Sequence, residues 1–152
     1  MSLPRLTSLL MVAVIAAACD SDSIEPPFGS WYAAATYECV GPLSESGVAI
    51  YLAGTPVQSP EPSAPYVRVI IREELLEDLS GRTWALAEPG TDATAWSVMT
   101  GIDREVATSG EVTVNTVASD NTIEGWADLT FPSGRVAQNF RARWFPRVQY
   151  CV

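Results

Sequence analysis

Residues 123–144, IEGWADLTFPSGRVAQNFRARW, carry the clearest structural pattern in the chain. Apolar and polar residues alternate on both sides of the Pro-Ser-Gly-Arg segment at 132–135, and a period of two predicts strands with one buried face. A four-residue loop with proline at the second position of a type I turn sets Phe131 opposite Val136. We therefore predict an antiparallel hairpin with strands at 123–131 and 135–145.

This register sorts the hairpin side chains into two faces. On the core side, Ala127 faces Phe140 and Ile123 faces Trp144. A three-residue loop would slip the register by one and set Ile123 against Arg143, so the pattern rejects it. The members of the core face are Ile123, Gly125, Ala127, Leu129, Phe131, Val136, Gln138, Phe140, Ala142 and Trp144.

The opposite face collects an aromatic ring and four charged groups. It pairs Glu124 with Arg143 and Trp126 with Arg141, and it adds Asp128. A ring flanked by carboxylates and guanidinium groups can bind a sugar or a peptide. The alternative is a solvated strand pair held by a Glu–Arg contact and a cation–π contact, each worth about 1 kcal/mol or less. These five residues are the candidate binding surface.

Similar alternation runs through the rest of the chain. A turn at 119–122 would place Val112, Val114 and Thr116 on the core side, opposite Leu129, Ala127 and Gly125. Further strands are predicted near 30–39, 47–53, 65–72, 82–88, 94–100 and 110–118. The sequence therefore predicts an all-β domain, either an antiparallel sandwich or an eight-stranded barrel.

Two segments between the strands lack the alternation of a β-strand. Residues 54–65 hold four prolines and predict a surface loop, because proline cannot donate to a ladder. Residues 73–81 predict the one short helix, with Leu75 and Leu79 on one side and Gly81 at its end.

The first residues form an export signal. Arg5 precedes an apolar run at 9–18 that is too short to span a bilayer, and the run ends in three alanines before Cys19. This segment resembles the bacterial lipoprotein signal, whose lipobox ends in a cysteine. The resemblance implies that Cys19 is alkylated with diacylglycerol, becomes the first residue after cleavage and anchors the chain to a membrane. An ordinary secretory signal cut after Ala18 remains the alternative.

The domain organisation follows from this signal. Residues 1–18 are the predicted signal peptide, residues 19–28 an acidic lipid-anchored tether, and residues 29–152 a single all-β domain. The lipid anchor places the protein in the cell envelope, on the outer side of the bacterial inner membrane or on the outer membrane. Once Cys19 carries lipid, Cys39 and Cys151 remain as an even pair, and we predict a disulfide between them.

Composition excludes several kinds of chemistry. The chain has 18 acidic residues against 9 basic ones, all arginine, and no lysine or histidine. No Ser-His-Asp triad, imidazole metal site or lysine Schiff base can form. The net charge is −9, and loss of Arg5 with the signal makes it −10. Nucleic acid is not an expected partner, because its binding depends on phosphate neutralisation.

Two further patterns in the sequence are less specific. The acids Glu73, Glu74, Glu77 and Asp78 lack the spacing of a calcium loop and read as a solvated face, so we expect no metal and no cofactor. The motif Gly29-Ser30-Trp31 is similar to the G-x-W with which lipocalins begin. That resemblance implies a barrel holding a small apolar ligand, with Arg141 or Arg143 packed against Trp31.

These observations favour a lipid-anchored envelope protein without catalytic activity, with a binding or structural role. Its expected partners are the membrane through the anchor and an envelope protein, a glycan or a small apolar ligand. A lipocalin-like carrier is the first alternative, and a carboxylate-based hydrolase is the second.

Overall fold

The computed structural model describes residues 32–40, 45–72, 75–86, 92–98 and 104–146. In these ranges the chain forms nine strands and one 3-10 turn at Leu76–Leu79, which confirms the predicted all-β class. The strands are β1 Tyr32–Val40, β2 Glu45–Ala53, β3 Tyr66–Ile71, β4 Arg82–Ala85, β5 Ala93–Val98, β6 Arg104–Val106, β7 Ser109–Val117, β8 Ile123–Phe131 and β9 Gly134–Trp144.

All nine strands belong to one sheet with the order β4-β7-β8-β9-β1-β2-β3-β5-β6. The sheet curls into a half-barrel, so the structure is closer to the predicted barrel than to a two-sheet sandwich. Seven of the neighbouring pairs are antiparallel, and β1 lies parallel to β9, with Ala33 beside Ala142 and Ala35 beside Trp144. The first and last strands therefore meet in the middle of the sheet.

The connection between β6 and β7 forms hydrogen bonds to strands in both halves of the sheet. The amide of Ala107 donates to the carbonyl of Ala95 in β5 at 2.9 Å, and the amide of Thr108 donates to the carbonyl of Thr130 in β8 at 2.8 Å. Two successive residues thus pair with strands from opposite halves of the sheet. This short crossing fixes the curl.

The concave face of the half-barrel holds the main core. Its side chains come from alternate strand positions and from Leu76 and Leu79 of the 3-10 turn, as a period of two requires for one buried face. Members include Val48, Ile50, Leu52, Val67, Val69, Ile71, Trp84, Val112, Val114, Ile123, Leu129, Phe131, Val136 and Phe140.

The β8–β9 hairpin keeps the predicted faces but not the predicted register. Phe131 lies opposite Gly134, so only Pro132 and Ser133 form the loop, and Ala127 lies opposite Gln138 rather than Phe140. Gly134 has a φ of +147°, which glycine adopts readily, and this lets the chain reverse within two residues. Because the shift is two residues, every side chain stays on its predicted face.

The pairing of β7 with β8 is shifted by two residues in the same way. Val112 lies opposite Ala127 and Val114 opposite Gly125, not Leu129 and Ala127. A bulge between Val114 and Thr116 then moves Thr116 to the exposed side, so its predicted core position is wrong.

The expected helix at 73–81 is shorter than predicted. Its described part is the 3-10 turn, in which Leu76 and Leu79 are buried and Leu75 is 51% exposed. A 3-10 turn aligns residues three apart rather than four, so the buried pair is Leu76 with Leu79. Gly81 ends the segment with a φ of +75°, as expected.

Candidate functional site

All five residues of the candidate binding surface lie on the outer face of the sheet, opposite the core. Glu124, Trp126 and Asp128 alternate in β8 with buried residues, and Arg141 and Arg143 alternate in β9 with Ala142. We call this region, with its neighbours in β7 and β9, the Trp126 surface.

The contacts on this surface differ from those predicted, because of the register shift. Arg141 lies opposite Glu124 and pairs with it, with Nε 3.3 Å from Oε1. Both side chains are at least half exposed, so the ion pair is a surface contact. Trp126 lies opposite Asn139 instead of Arg141, and the Arg143 guanidinium sits 5.2 Å from the centre of the Phe145 ring.

A second ion pair on the Trp126 surface was not predicted. The Nε and Nη2 atoms of Arg135 donate to the two carboxylate oxygens of Asp128 at 2.8 and 2.6 Å. These hydrogen bonds lower the pKa of Asp128 below its ordinary value. The bidentate geometry makes this the better ordered of the two pairs.

Trp126 lies between these two ion pairs. Its indole is half-buried, with Thr113 of β7 opposite it on one side and Asn139 of β9 on the other. Ring, hydroxyl and amide are therefore neighbours on a three-stranded surface, and the Glu124–Arg141 and Asp128–Arg135 pairs flank them. Such a surface can stack on an apolar face and exchange hydrogen bonds at the rim of the ring.

The other half of the same outer face carries a cluster that the sequence did not reveal. Glu38 of β1, Tyr51 of β2, Arg68 of β3 and Trp96 of β5 form what we call the Arg68 cluster. The Tyr51 hydroxyl and the Arg68 guanidinium both donate to the Glu38 carboxylate. The guanidinium carbon lies 5.9 Å from the centre of the Tyr51 ring and 5.5 Å from that of the Trp96 ring.

Strand register explains how the Arg68 cluster assembles. Tyr51, Arg68 and Trp96 are direct neighbours across β2, β3 and β5, and all three point away from the core. Cross-strand neighbours on one face are the side chains that make contact in a sheet. Tyr66 adds an edge-to-face contact with Tyr51, with the ring centres 5.5 Å apart.

The charged pair in the Arg68 cluster is buried, unlike the pairs of the Trp126 surface. The Glu38 side chain is 7% exposed and that of Arg68 is 27% exposed. Desolvation lowers the pKa of Arg68, and the charge of Arg104 lowers it further. Arginine nevertheless keeps its charge, because its ordinary pKa is so high.

One feature of the sequence could have indicated this cluster. The β3 sequence Tyr66–Ile71 has apolar residues at both odd and even positions around Arg68, which is typical of a strand buried on both faces. Glu38 is 30 residues away from Arg68, and nothing in a single sequence links the two.

Several predicted features lie outside the described residues, among them Cys19, the Gly29–Trp31 motif and Cys151. Cys39 is described and is half-buried near the end of β1. Arg141 and Arg143 are exposed on the outer face of the sheet. The anchor, the motif and the disulfide remain predictions.

The acidic segment gives no sign of a metal site where it is described. Glu77 and Asp78 are exposed on the 3-10 turn, while Glu73 and Glu74 lie outside the described residues. Within the described ranges no three acidic or cysteine side chains converge as metal ligands. A shallow cleft of about 220 Å³ lies beside this turn and is lined by Leu76, Glu77, Ser80, Val117, Ala118, Ser119 and Asn121.

Neither membrane-spanning helices nor known relatives point to a function. In the part of the chain that the structure describes, no helix is long and apolar enough to cross a membrane. The chain matches no protein-family model, no curated protein and no solved structure.

Proposed function

We propose that this protein is a lipid-anchored, non-catalytic protein of the bacterial cell envelope that binds a partner through the Trp126 surface. The observation that carries the proposal is the position of Trp126. Its indole is half-buried at the centre of an outer sheet face, between the Glu124–Arg141 and Asp128–Arg135 ion pairs. A large ring kept at a surface, with paired charges around it, is suited to binding an envelope glycan or peptide.

The charges around Trp126 favour binding over hydrolysis. Glycoside hydrolysis by two carboxylates needs a general acid whose pKa is raised. Arg135 instead lowers the pKa of Asp128, and Arg141 pairs with Glu124. These two carboxylates are therefore better suited to ordering the surface than to donating a proton.

The proposed anchor is Cys19, joined to β1 by a short tether. Twelve residues lie between Cys19 and Tyr32, where β1 begins, and a fully extended chain over this stretch reaches about 45 Å. Two or three acyl chains hold a protein stably on a bilayer, whereas one chain binds only marginally. The tether would let the half-barrel sit clear of the lipid headgroups and present the Trp126 surface.

The path of the chain after β9 supports the proposed disulfide. Trp144 lies beside Ala35, the Phe145 amide donates to the Ala35 carbonyl, and the Thr36 hydroxyl donates to the Phe145 carbonyl. Since β1 and β9 run parallel, the chain leaves β9 toward Cys39. Four residues of β1 cover about 13 Å, whereas the seven residues after Trp144 can reach about 24 Å. Cys151 therefore has enough chain to meet Cys39.

Reduction tests the disulfide directly. A bridge closing a loop of about 100 residues stabilises a domain by up to about 5 kcal/mol. Reduced protein should therefore melt many degrees below oxidised protein in calorimetry. Equal melting temperatures would refute the bridge.

The binding role is tested with Trp126→Ala in a pull-down from envelope fractions and on a glycan array. The variant should fold, because its indole is only half-buried, and it should lose the partner. Leu75→Ala removes another exposed apolar side chain and should keep the partner. Wild-type binding by Trp126→Ala would overturn the role of this surface, and unfolding would show that Trp126 is a core residue.

The anchor has a separate test. Labelled palmitate should incorporate into the wild-type chain and not into Cys19→Ser, which should leave the membrane fraction. Export of an unlabelled wild-type chain cut after Ala18 would favour an ordinary secretory signal.

A carrier is the second candidate, and the curl of the sheet favours it. A half-barrel has the concave shape that a carrier uses. Here that face is covered by large apolar side chains buried against one another, such as Ile50, Leu52 and Phe131, and a ligand would have to displace them. Quenching of tryptophan fluorescence by a panel of lipophilic ligands would favour the carrier, and no response across the panel would remove it.

A further inference from the structure

The Arg68 cluster exposes its two charges unequally. The Glu38 carboxylate is buried and receives hydrogen bonds from both Tyr51 and Arg68, whereas 27% of the Arg68 side chain remains in contact with solvent. The pair therefore presents its cationic side outward. Among the described residues Glu38 is the one buried carboxylate, and it already has two donors.

The edge strand β6 extends this cationic side and adds apolar surface. Val106 lies opposite Trp96 in the register and is 56% exposed. Arg104 occupies the next position on the same face, and its charge is close enough to lower the pKa of Arg68. Two guanidinium groups thus lie near one buried carboxylate, in a chain whose net charge is −9.

Arg68 also retains unused hydrogen-bonding capacity. Its Nε–H has no acceptor among the described residues, although the atom is buried. A guanidinium group has five N–H donors, and the Glu38 carboxylate accepts from one of its terminal nitrogens. Because the Nε–H is buried, an additional acceptor at the exposed side would meet the other terminal N–H groups of this ordered, positively charged side chain.

We propose that Arg68, Trp96, Arg104 and Val106 form a binding site for a small amphipathic anion, an apolar body that carries one carboxylate, sulfate or phosphate group. Trp96 and Val106 contact the apolar body, and the two arginines bind the anionic group. Glu38 and Tyr51 hold Arg68 in place, so they are positioning residues. The site lies on the opposite half of the outer face from the Trp126 surface and does not depend on it.

The test uses phenyl phosphate and benzoate as probes, followed through the indole N–H resonances of the folded domain by NMR. Both anions should shift the Trp96 resonance, identified by its absence in Trp96→Phe. Benzylammonium and benzyl alcohol have a similar ring with a positive charge or none, and they should shift it much less.

Two arginine variants separate this site from general attraction of anions. Arg104→Gln should weaken binding of phenyl phosphate about fivefold, since one nearby charge is removed without disturbing the buried pair. Arg82→Gln is the matched control, because Arg82 also lies over a tryptophan, 5.0 Å from the Trp84 ring centre, on the edge strand β4. The Arg82→Gln variant should bind phenyl phosphate with the affinity of the wild type.

The proposal stands only if binding is selective for anions and sensitive to Arg104. Equal shifts by benzylammonium, equal effects of the two arginine variants, or no shift of Trp96 by either anion would each overturn it. None of these results bears on pull-down through Trp126, which is measured separately.

Discussion

The outer face of the half-barrel has two halves, and each holds a Glu–Arg ion pair with a different exposure to solvent. On β7, β8 and β9, the Glu124–Arg141 pair is exposed to solvent. On β1, β2, β3 and β5, the Arg68 guanidinium lies over aromatic rings, and the Glu38 side chain is only 7% exposed. Both pairs join a glutamate to an arginine across strands, and they differ in burial and in the Tyr51 hydroxyl that also donates to Glu38.

Burial determines how much each ion pair contributes to stability and how easily a ligand can rearrange it. An exposed pair stabilises little, because water already solvates both charges, and it can be rearranged by a ligand at low cost. A buried pair stabilises little compared with apolar packing, but losing one partner leaves an uncompensated charge. We therefore expect the Arg68 cluster to be sensitive to substitution and the Trp126 surface to be tolerant.

The largest expected effect is that of Glu38→Ala. The substitution leaves the Arg68 guanidinium and the Tyr51 hydroxyl without their shared acceptor. It should lower the free energy of unfolding by about 3 kcal/mol. Glu124→Ala is the matched control and should cost less than about 1 kcal/mol. Urea denaturation of both variants measures the contrast, and equal losses would show that burial does not distinguish the two pairs.

Replacement of the two outer tryptophans should give the next largest contrast. Trp96→Ala removes a ring packed against the small outer cluster of Ala49, Tyr51 and Ile70, and we expect a loss of about 2–3 kcal/mol. Trp126→Ala should cost about 1 kcal/mol, because its neighbours Thr113 and Asn139 are polar. Calorimetry of the two variants measures both losses of stability. A larger loss for Trp126→Ala would show that the Trp126 surface, and not the Arg68 cluster, is the more tightly packed half.

The stabilising contribution of the Asp128–Arg135 pair should decrease in acid. The folded-state pKa of Asp128 is lowered by its hydrogen bonds with Arg135, so its contribution to stability is present above about pH 4 and is lost as pH falls through the lowered pKa. The side chains are 28% and 39% exposed, which limits the contribution to about 1 kcal/mol.

Asp128→Asn measures this contribution. The variant should be less stable than the wild type at pH 7, and the difference should shrink as the pH falls below about 4. A difference that did not shrink with acid would mean that the carboxylate acts through packing rather than charge.

The smallest effect is expected for Arg141→Gln. Its pair with Glu124 is exposed and should contribute about 0.5 kcal/mol or less, and 1 M salt should abolish the contribution by screening. Urea denaturation at low and high salt tests this. A loss that did not depend on salt would place Arg141 in a packed contact.

The sequence predicted the strands and their faces well, because alternation with a period of two is a local property. Trp126 and Leu129 lie on the faces assigned to them. Alternation cannot distinguish registers that differ by two residues, so the Glu124–Arg143 pairing was wrong although both residues were on the correct face. The turn decided the register, and Gly134 allowed a tighter turn than the four-residue loop expected.

Other features depend on contacts that no local pattern encodes. The strand β6 has three residues and exists because the edge of β5 is available to it, so it was not predicted. The bulge that exposes Thr116 also follows from pairing between strands. The Arg68 cluster requires β1, β2, β3 and β5 to be neighbours, and that order is set by the curl of the whole sheet.

The residue pattern alone predicts the all-β class, the division of each strand into a core face and an outer face, and the absence of chemistry that needs lysine or histidine. These properties follow from composition and from the period of the strand, which act over a few residues. Which outer side chains are buried and which charges form pairs depends on the assembled sheet. Burial and pairing depend on strands far apart in the chain, since Glu38 and Arg68 become partners only when the sheet brings β1 and β3 to either side of β2.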